Sequence, residues 1–140
     1  MSPDLPTLDD VVGVAEFRAA LRSFLRRTER IARSAGLTPQ RYLLLLMIKG
    51  APDRSEQSTV TELSDRLQLA QSTVTELVAR AEETGLIDRE VSPADGRVAY
   101  LRLTAEGERR LSRAFTDLES ERRDLLEAFQ HLEGTLNPLS

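Results

Sequence analysis

Apolar residues recur along this chain with two different periods, and the changes of period mark its elements. From about Leu8 to Ala35, Val14, Leu21 and Thr28 repeat every seven residues, and so do Phe17, Phe24 and Ile31. Interleaved, they form one seam at three- and four-residue spacing, which predicts an amphipathic helix. Arg18, Arg22, Arg26, Arg30 and Arg33 occupy the opposite face. Gly36 can take the left-handed conformation that closes a helix, and Thr38-Pro39 supplies a cap and a first-turn proline for the next. That next helix, Pro39 to about Gly50, is apolar nearly all round between Leu43 and Ile48, so it is expected to be buried on most sides.

A polar linker over 50–58 follows, and Ser58-Thr59-Val60 reads as a short strand. Thr59 with Glu62 fits a capping box, although Thr61 is an equally good cap. A short helix is predicted over 61–67, with Leu63 and Leu67 inward and Ser64 small enough for a close helix approach. Gln68-Leu69-Ala70 is the turn. A second helix runs from about Gln71 to Thr84, with Val74, Leu77, Val78 and Ala81 on its apolar face, and Gly85 ends it. The period then shortens to two. Leu86–Val91 and Val98–Leu103 are strand candidates, joined by the turn-forming run Ser92-Pro93-Ala94-Asp95-Gly96. Thr104 caps one long last helix, where Leu111, Leu118, Leu125 and Leu132 recur every seven residues. Phe115 and Phe129 occupy intermediate positions, and Gly134, Asn137 and Pro138 stop the helix.

Helix, turn, helix and hairpin in unbroken order form the layout of a winged helix-turn-helix. The expected fold class is mainly α with a small β wing. A single domain over 1–140 would place a winged lobe at 38–104 between dimerisation helices at 8–35 and 105–133. Composition agrees with a folded helical chain: 140 residues, 40% hydrophobic, 30% charged and 4% aromatic.

Cysteine is absent and His131 is the only histidine, which excludes disulfides, thiolate chemistry and His-based metal clusters. No metal or cofactor is expected. No HExxH, GxSxG or glycine-rich phosphate loop supports an enzyme. The opening MSPDLPTLDD lacks the apolar run of a secretory leader, and Tyr42–Ile48 is too short to span a bilayer. A soluble cytoplasmic protein is expected, with no membrane partner. The net charge of −4 opposes nucleic-acid binding on its face. Local distribution decides that question, however, and all but one of the 19 basic residues are arginine, the exception being Lys49.

Four constellations carry the functional reading. Gln71, Ser72, Thr73 and Thr75, with Arg80, are the short polar and basic side chains that a helix needs to reach base edges and phosphates. An αα-corner with a solvated face would look the same without the hairpin that follows. At the hairpin tip, Arg97 can enter a narrow minor groove, and Asp95 can orient it or cap the turn. A surface ion pair in a solvated turn is the plainer account. Leu111, Leu118, Leu125 and Phe129 form a seam that suits a dimer interface, or simply packing of the first and last helices within one chain. The arginine stripe on the first helix suits phosphates, but also a solvated face or pairs with Glu119, Glu121, Asp124 and Glu127.

With these residues in place, the chain resembles the multiple-antibiotic-resistance regulator (MarR) family. GLTPQRYLLLLMI is similar to that family's second helix. TVTELSDRLQLAQSTVTELVARAEETGLIDRE is similar to its helix-turn-helix and first wing strand, and SPADGRVAYLRLTAEG to its wing. The wing match includes a D-x-R pattern at Asp95 and Arg97 and an L-T-x-x-G exit at Leu103, Thr104 and Gly107. The resemblance covers about residues 15 to 132. It implies a triangular homodimer on a palindromic operator in double-stranded DNA, with recognition helices about one helical turn (~34 Å) apart. It also implies repression, released by a small aromatic or amphipathic effector bound between the dimer base and the winged lobe. Phe17, Leu21, Phe24, Tyr42, Leu45 and Phe115 are the candidates for that pocket wall, with core packing as their alternative role. Three features depart from the family pattern. Ala70 stands where a Ser or Thr cap is frequent. Glu76 stands on the recognition helix, where it either accepts from a cytosine amine or meets an internal arginine. The tail after Leu125 is short. A winged helix that binds protein partners, without specific DNA binding, is the competing reading.

Overall fold

The computed structural model describes residues 5–136, with side chains through Leu132. Its elements are α1 (Leu8–Ser34), α2 (Pro39–Lys49), α3 (Val60–Leu67), α4 (Gln71–Glu83), β1 (Ile87–Val91), β2 (Ala99–Leu103), α5 (Ala105–Asp117) and α6 (Glu119–Leu136). They divide into two compact units, one spanning Ala32–Thr116 and the other holding the described residues up to Ile31 and from Asp117 onward. Among the described residues no helix is long and apolar enough to cross a membrane.

The winged unit begins where α1 ends. Gly36 takes φ +81°, and the Leu37 N–H donates back to the Ala32 carbonyl at 2.9 Å. Thr38 then caps α2 by accepting from the Arg41 N–H at 3.2 Å, with Pro39 in the first turn. α2 buries Tyr42, Leu44, Leu45 and Ile48, and α3, α4 and β2 all pack against it. Leu43, in contrast, is 41% exposed, so the helix keeps a wet side that its uniform apolar run does not suggest. Leu63 of α3, Val74 and Val78 of α4, and Leu101 of β2 complete this core, all fully buried.

The capping box predicted at Thr59 forms. Its hydroxyl accepts from the Glu62 N–H at 3.2 Å, while the Glu62 carboxylate accepts from the Thr59 N–H at 3.1 Å. The cap position also explains why the strand predicted over Ser58–Val60 is reduced to one residue. Thr59 is still extended, at φ −92° and ψ 164°, but its N–H is taken by Glu62 and Val60 is already helical, so only Ser58 pairs, exchanging both backbone bonds with Leu101. Between α3 and α4, Gln68 adopts a left-handed backbone at φ 55°, and the Ser64 hydroxyl donates to the Leu69 carbonyl at 2.6 Å, holding the turn closed.

β1 and β2 pair antiparallel in the register Ile87↔Leu103 to Val91↔Ala99. Thr104 joins three elements at the base of this hairpin. Its hydroxyl donates to the Gly85 carbonyl at 2.6 Å and accepts from the Gly107 N–H at 3.1 Å. Gly107 is buried there so tightly that an added Cβ would lie 2.2 Å from the Leu86 carbonyl oxygen.

In the other unit, the Thr28 hydroxyl donates to the Phe24 carbonyl at 2.8 Å, which lets a polar residue sit in the apolar seam of α1. The Phe17 and Phe129 rings meet edge to face, with centroids 5.9 Å apart. The single last helix expected from the leucine heptad is instead two helices, α5 and α6, interrupted at Leu118. Thr116, Asp117 and Ser120 surround the break, and such side chains compete with the helical backbone for hydrogen bonds. Leu118 itself is fully buried. Gly134 does not stop the chain's last helix, which continues to Leu136; Asn137 and Pro138 lie outside the described residues.

Gly107 supplies a test whose sign is informative. In an open helix Gly→Ala gains about 1 kcal/mol. Here Gly107→Ala is expected to lose about 1–3 kcal/mol through overpacking, read as a lower thermal midpoint. A raised midpoint would show that α5 does not lie against the Leu86 backbone.

Candidate nucleic-acid interface

Core packing decides what α4 shows to solvent. With Val74, Val78 and Ala81 buried, Gln71, Ser72, Thr75, Glu76 and Arg80 are exposed and Thr73 is half-buried. These are the groove-reading candidates of the sequence, and the structure brings them onto one helix surface. Ala70 precedes the helix with no side-chain cap bond, so the first N–H groups of α4 receive nothing from that position. Arg80 Nη2 donates to Glu76 Oε1 at 2.8 Å, which settles the partner of Glu76 in the unbound chain. Gln40, from the first turn of α2, lines a small crevice with Thr73, Glu76, Leu77 and Arg80. No sequence signal marks Gln40, because its neighbours on α4 lie more than thirty positions away.

The hairpin tip is ordered by its own backbone. The Ser92 N–H donates to the Val98 carbonyl at 2.8 Å, and the Val98 N–H to the Asp95 carbonyl at 3.0 Å. The Asp95 carboxylate accepts from the Arg97 N–H at 3.0 Å. Asp95 therefore positions Arg97 through the main chain, as a turn cap, and makes no ion pair with its guanidinium. Among the described residues the Arg97 guanidinium has no carboxylate partner, and the residue is exposed. Arg97 and Arg89 line a cleft with Thr59 and Thr61 at the start of α3. Arg89 is committed to Glu82 at 2.8 Å.

Arg66, Arg109 and Arg110 of the winged unit are also engaged. Arg66 donates to the Met47 carbonyl at 2.8 Å, fastening α3 to the end of α2. Arg110 donates to the Gly36 carbonyl at 2.9 Å and to Glu106 at 2.8 Å. Arg110 and Arg109 beside Glu106 hold its carboxyl below the usual carboxylate range.

The six pocket-wall candidates are divided between the two units. Tyr42 and Leu45 are core residues of the winged unit, 5% and 0% exposed. Phe17, Leu21 and Phe24 belong to the other unit and are half-buried there. Phe115 alone lines a groove of the winged unit, about 340 Å³ in volume, with Leu46 and Leu111 as further apolar walls. Lys49 and Glu108 also line it. Of the seam residues, Leu111 and Leu118 are buried by their own chain, Leu125 is half-buried, and Phe129 is 49% exposed.

Lys49 bridges Glu108 of α5, at 2.8 Å, and Glu56 of the loop after α2. The hydrogen bonds that Lys49 donates to Glu108, and then to Glu56, raise the lysine's pKa, and Lys49 lowers that of Glu56. The sequence does not announce this bridge, since its members lie at 49, 56 and 108.

A buried three-helix core, a polar second helix and an ordered hairpin define a winged helix-turn-helix, the class used by DNA-binding transcriptional regulators. Comparison with known proteins identifies the branch. A family model described as the MarR family matches residues 35–98. The chain is 31% identical to the HTH-type transcriptional regulator YsmB of Bacillus subtilis over 120 residues, 83% of this chain and 80% of that one. It is 30% identical to the transcriptional repressor IacR of Pseudomonas putida over 90 residues, 64% of this chain and about half (52%) of that protein. The solved structure of Sco3205, a MarR family regulator from Streptomyces coelicolor in complex with DNA, superposes with a TM-score of 0.67 at 24% identity, covering 89% of this chain and 77% of that one. The chain belongs to the MarR family of transcriptional regulators.

The Lys49 bridge predicts a pH window. Glu56 has a folded pKa below its unfolded value, so its contribution is present above about pH 4.5 and lost as pH falls through the lower folded value. Lys49 is raised, so its contribution is complete below about pH 10 and lost above it. Lys49→Met is expected to lower the thermal midpoint between those limits and to converge with the parent in acid. A difference independent of pH would refute the bridge.

Proposed function

We propose that the protein regulates transcription by binding a palindromic operator as a homodimer, represses from that site, and is released by a small effector. One observation carries the DNA reading. The exposed polar start of α4 and the one hairpin-tip arginine without a carboxylate partner belong to the same winged unit, ready for a major and an adjacent minor groove. Gln71, Ser72, Thr73 and Thr75 are assigned to base edges and phosphates, Arg80 to a phosphate, and Arg97 to the minor groove with Asp95 as its turn cap. The complex reported for Sco3205 with DNA and the repressor IacR support the same reading.

The dimer reading rests on the apolar surface of the unit that holds α1 and α6. Leu8 is 77% exposed, Val11 50%, Leu126 55% and Phe129 49%. Apolar residues so exposed, paired within one turn of α1 and one turn of α6, favour a covering partner, and a second copy satisfies a two-fold operator. Because Leu111 and Leu118 are already buried, the seam proposed for pairing shifts toward Leu125, Leu126 and Phe129. The effector reading rests on the groove at Phe115, where apolar walls and a charged pair suit a small aromatic or amphipathic molecule. A cytoplasmic location follows from an operator as target.

The protein-interaction alternative draws on the ion pair that neutralises the only basic residue of α4. Salt separates the two, since phosphate contacts weaken steeply as salt rises and an apolar protein interface does not. Fluorescence anisotropy on a duplex selected from a random pool, against its scrambled version, is the direct test. Arg97→Ala is expected to weaken binding ~10-fold or more and to leave the thermal midpoint within about 1 °C of the parent. Equal loss of binding and stability would overturn the direct contact. Leu126→Glu is expected to yield monomers in sedimentation velocity and weak operator binding; an unchanged dimer would remove Leu126 from the interface.

A further inference from the structure

We infer that Glu76 is a specificity-determining residue that suppresses binding to the wrong sequences by holding Arg80. The inference rests on the DNA-binding reading proposed above. Glu76 lies one helical turn past Ser72 and one before Arg80, on the face of α4 assigned to DNA. Both side chains of the pair are well exposed, 64% for Glu76 and 61% for Arg80. Neither charge is used by the fold, and an exposed pair of this spacing is weak enough to exchange for a better partner. Arg80 is the only basic residue in α4. While Glu76 holds it, the polar face of the recognition helix carries no net positive charge.

On an arbitrary duplex this arrangement gives α4 nothing. A phosphate that takes Arg80 must first displace Glu76, and then sits beside the carboxylate it repels. On the operator both charges can be satisfied together. A base-edge donor in the major groove, of which the cytosine amine is the natural partner for a carboxylate, accepts the company of Glu76 while Arg80 turns to a phosphate. Non-specific contacts are thus withheld, and the specific one is permitted. Discrimination comes from the repulsive element as much as from the attractive one. The crevice that Glu76 and Arg80 share with Thr73 and Gln40 places this exchange beside the residues assigned to base contacts.

The test uses the full chain. Duplexes are selected from a random pool with the parent, Glu76→Gln, Arg80→Ala and the double variant. Affinities for the parent's selected duplex and a scrambled one are then measured across salt concentration. Glu76→Gln is expected to bind the scrambled duplex about 5- to 10-fold tighter at low salt, with a salt slope steeper by about one phosphate. The ratio of selected to scrambled affinity is expected to fall ~10-fold, and a G·C preference to disappear at one position of each half-site. In the Arg80→Ala background the same substitution leaves the salt slope unchanged. An unchanged ratio and slope in Glu76→Gln, or equal weakening on both duplexes, would overturn the inference while leaving the regulator reading intact. If the parent itself enriches no sequence, the regulator reading falls and this inference with it. Matching thermal midpoints for the parent and Glu76→Gln confirm that the comparison is between folded proteins.

Discussion

Burial of one side of α2 constrains the rest of the winged unit. Leu44, Leu45 and Ile48 are withdrawn from water completely, each worth roughly 1.5–3 kcal/mol of transfer free energy. α3, α4 and β2 all close over them. Once Val74, Val78 and Ala81 of α4 are drawn to that surface, the helical repeat leaves no freedom for the remaining positions. Gln71, Ser72, Thr75, Glu76 and Arg80 must face outward. The polar face of α4 is therefore a product of packing, and its chemistry can change without touching the core that orients it.

The wing depends on a second, shorter-range constraint. Thr104 receives the end of α4 through the Gly85 carbonyl and the start of α5 through the Gly107 N–H. The backbone of Leu86 lies against Gly107, with no room for a side chain. Helix, hairpin and α5 meet within a few residues, so the base of the wing has a fixed origin. Its tip is independent of that junction, because Ser92, Asp95 and Val98 close it locally. A fixed base and a self-closing tip let Arg97 be presented as a rigid extension of the core.

What the sequence makes legible follows the range of each interaction. Thr38, Thr59 and Thr104 can be read as caps because the groups they bind lie three residues away, and Gly36 and Gly85 as helix ends because the requirement for a left-handed residue is local. The polar face of α4 is legible from periodicity alone. The strand at Ser58 is misjudged because its partner, Leu101, lies forty-odd positions on and the cap at Thr59 claims the next residue. The break at Leu118 is hidden because the heptad continues through it, and only the cluster of helix-competing side chains around it signals a weak point. Asp95 shows another kind of limit. Its spacing to Arg97 allows either the backbone N–H or the guanidinium as partner, and the choice is made by the folded tip. The sequence leaves Glu76 between a cytosine amine and an unnamed arginine, although Arg80 stands at i+4 spacing, whereas Lys49 with Glu56 and Glu108, and Gln40 beside α4, are tertiary and leave no trace in spacing.

Charge ties these strands together. The proposed DNA reading requires a chain with net charge −4 to place its free cations with care. In the winged unit Arg66 and Arg110 are spent on backbone carbonyls that fasten α3 and α5 to the core, and Arg89 on Glu82. Such arginines stabilise the scaffold and are poorly placed to attract phosphates. Two further cations carry the proposed DNA contacts: a tip arginine set by a turn cap and a helix arginine held by a carboxylate. If Glu76 holds Arg80 as proposed, α4 gains little from arbitrary duplex and draws its affinity from contacts that only a fitting sequence completes. On the reading proposed above, the acidic balance, which at first argues against nucleic acid, works toward discrimination among many competing sites, because it withholds the sequence-independent part of the attraction.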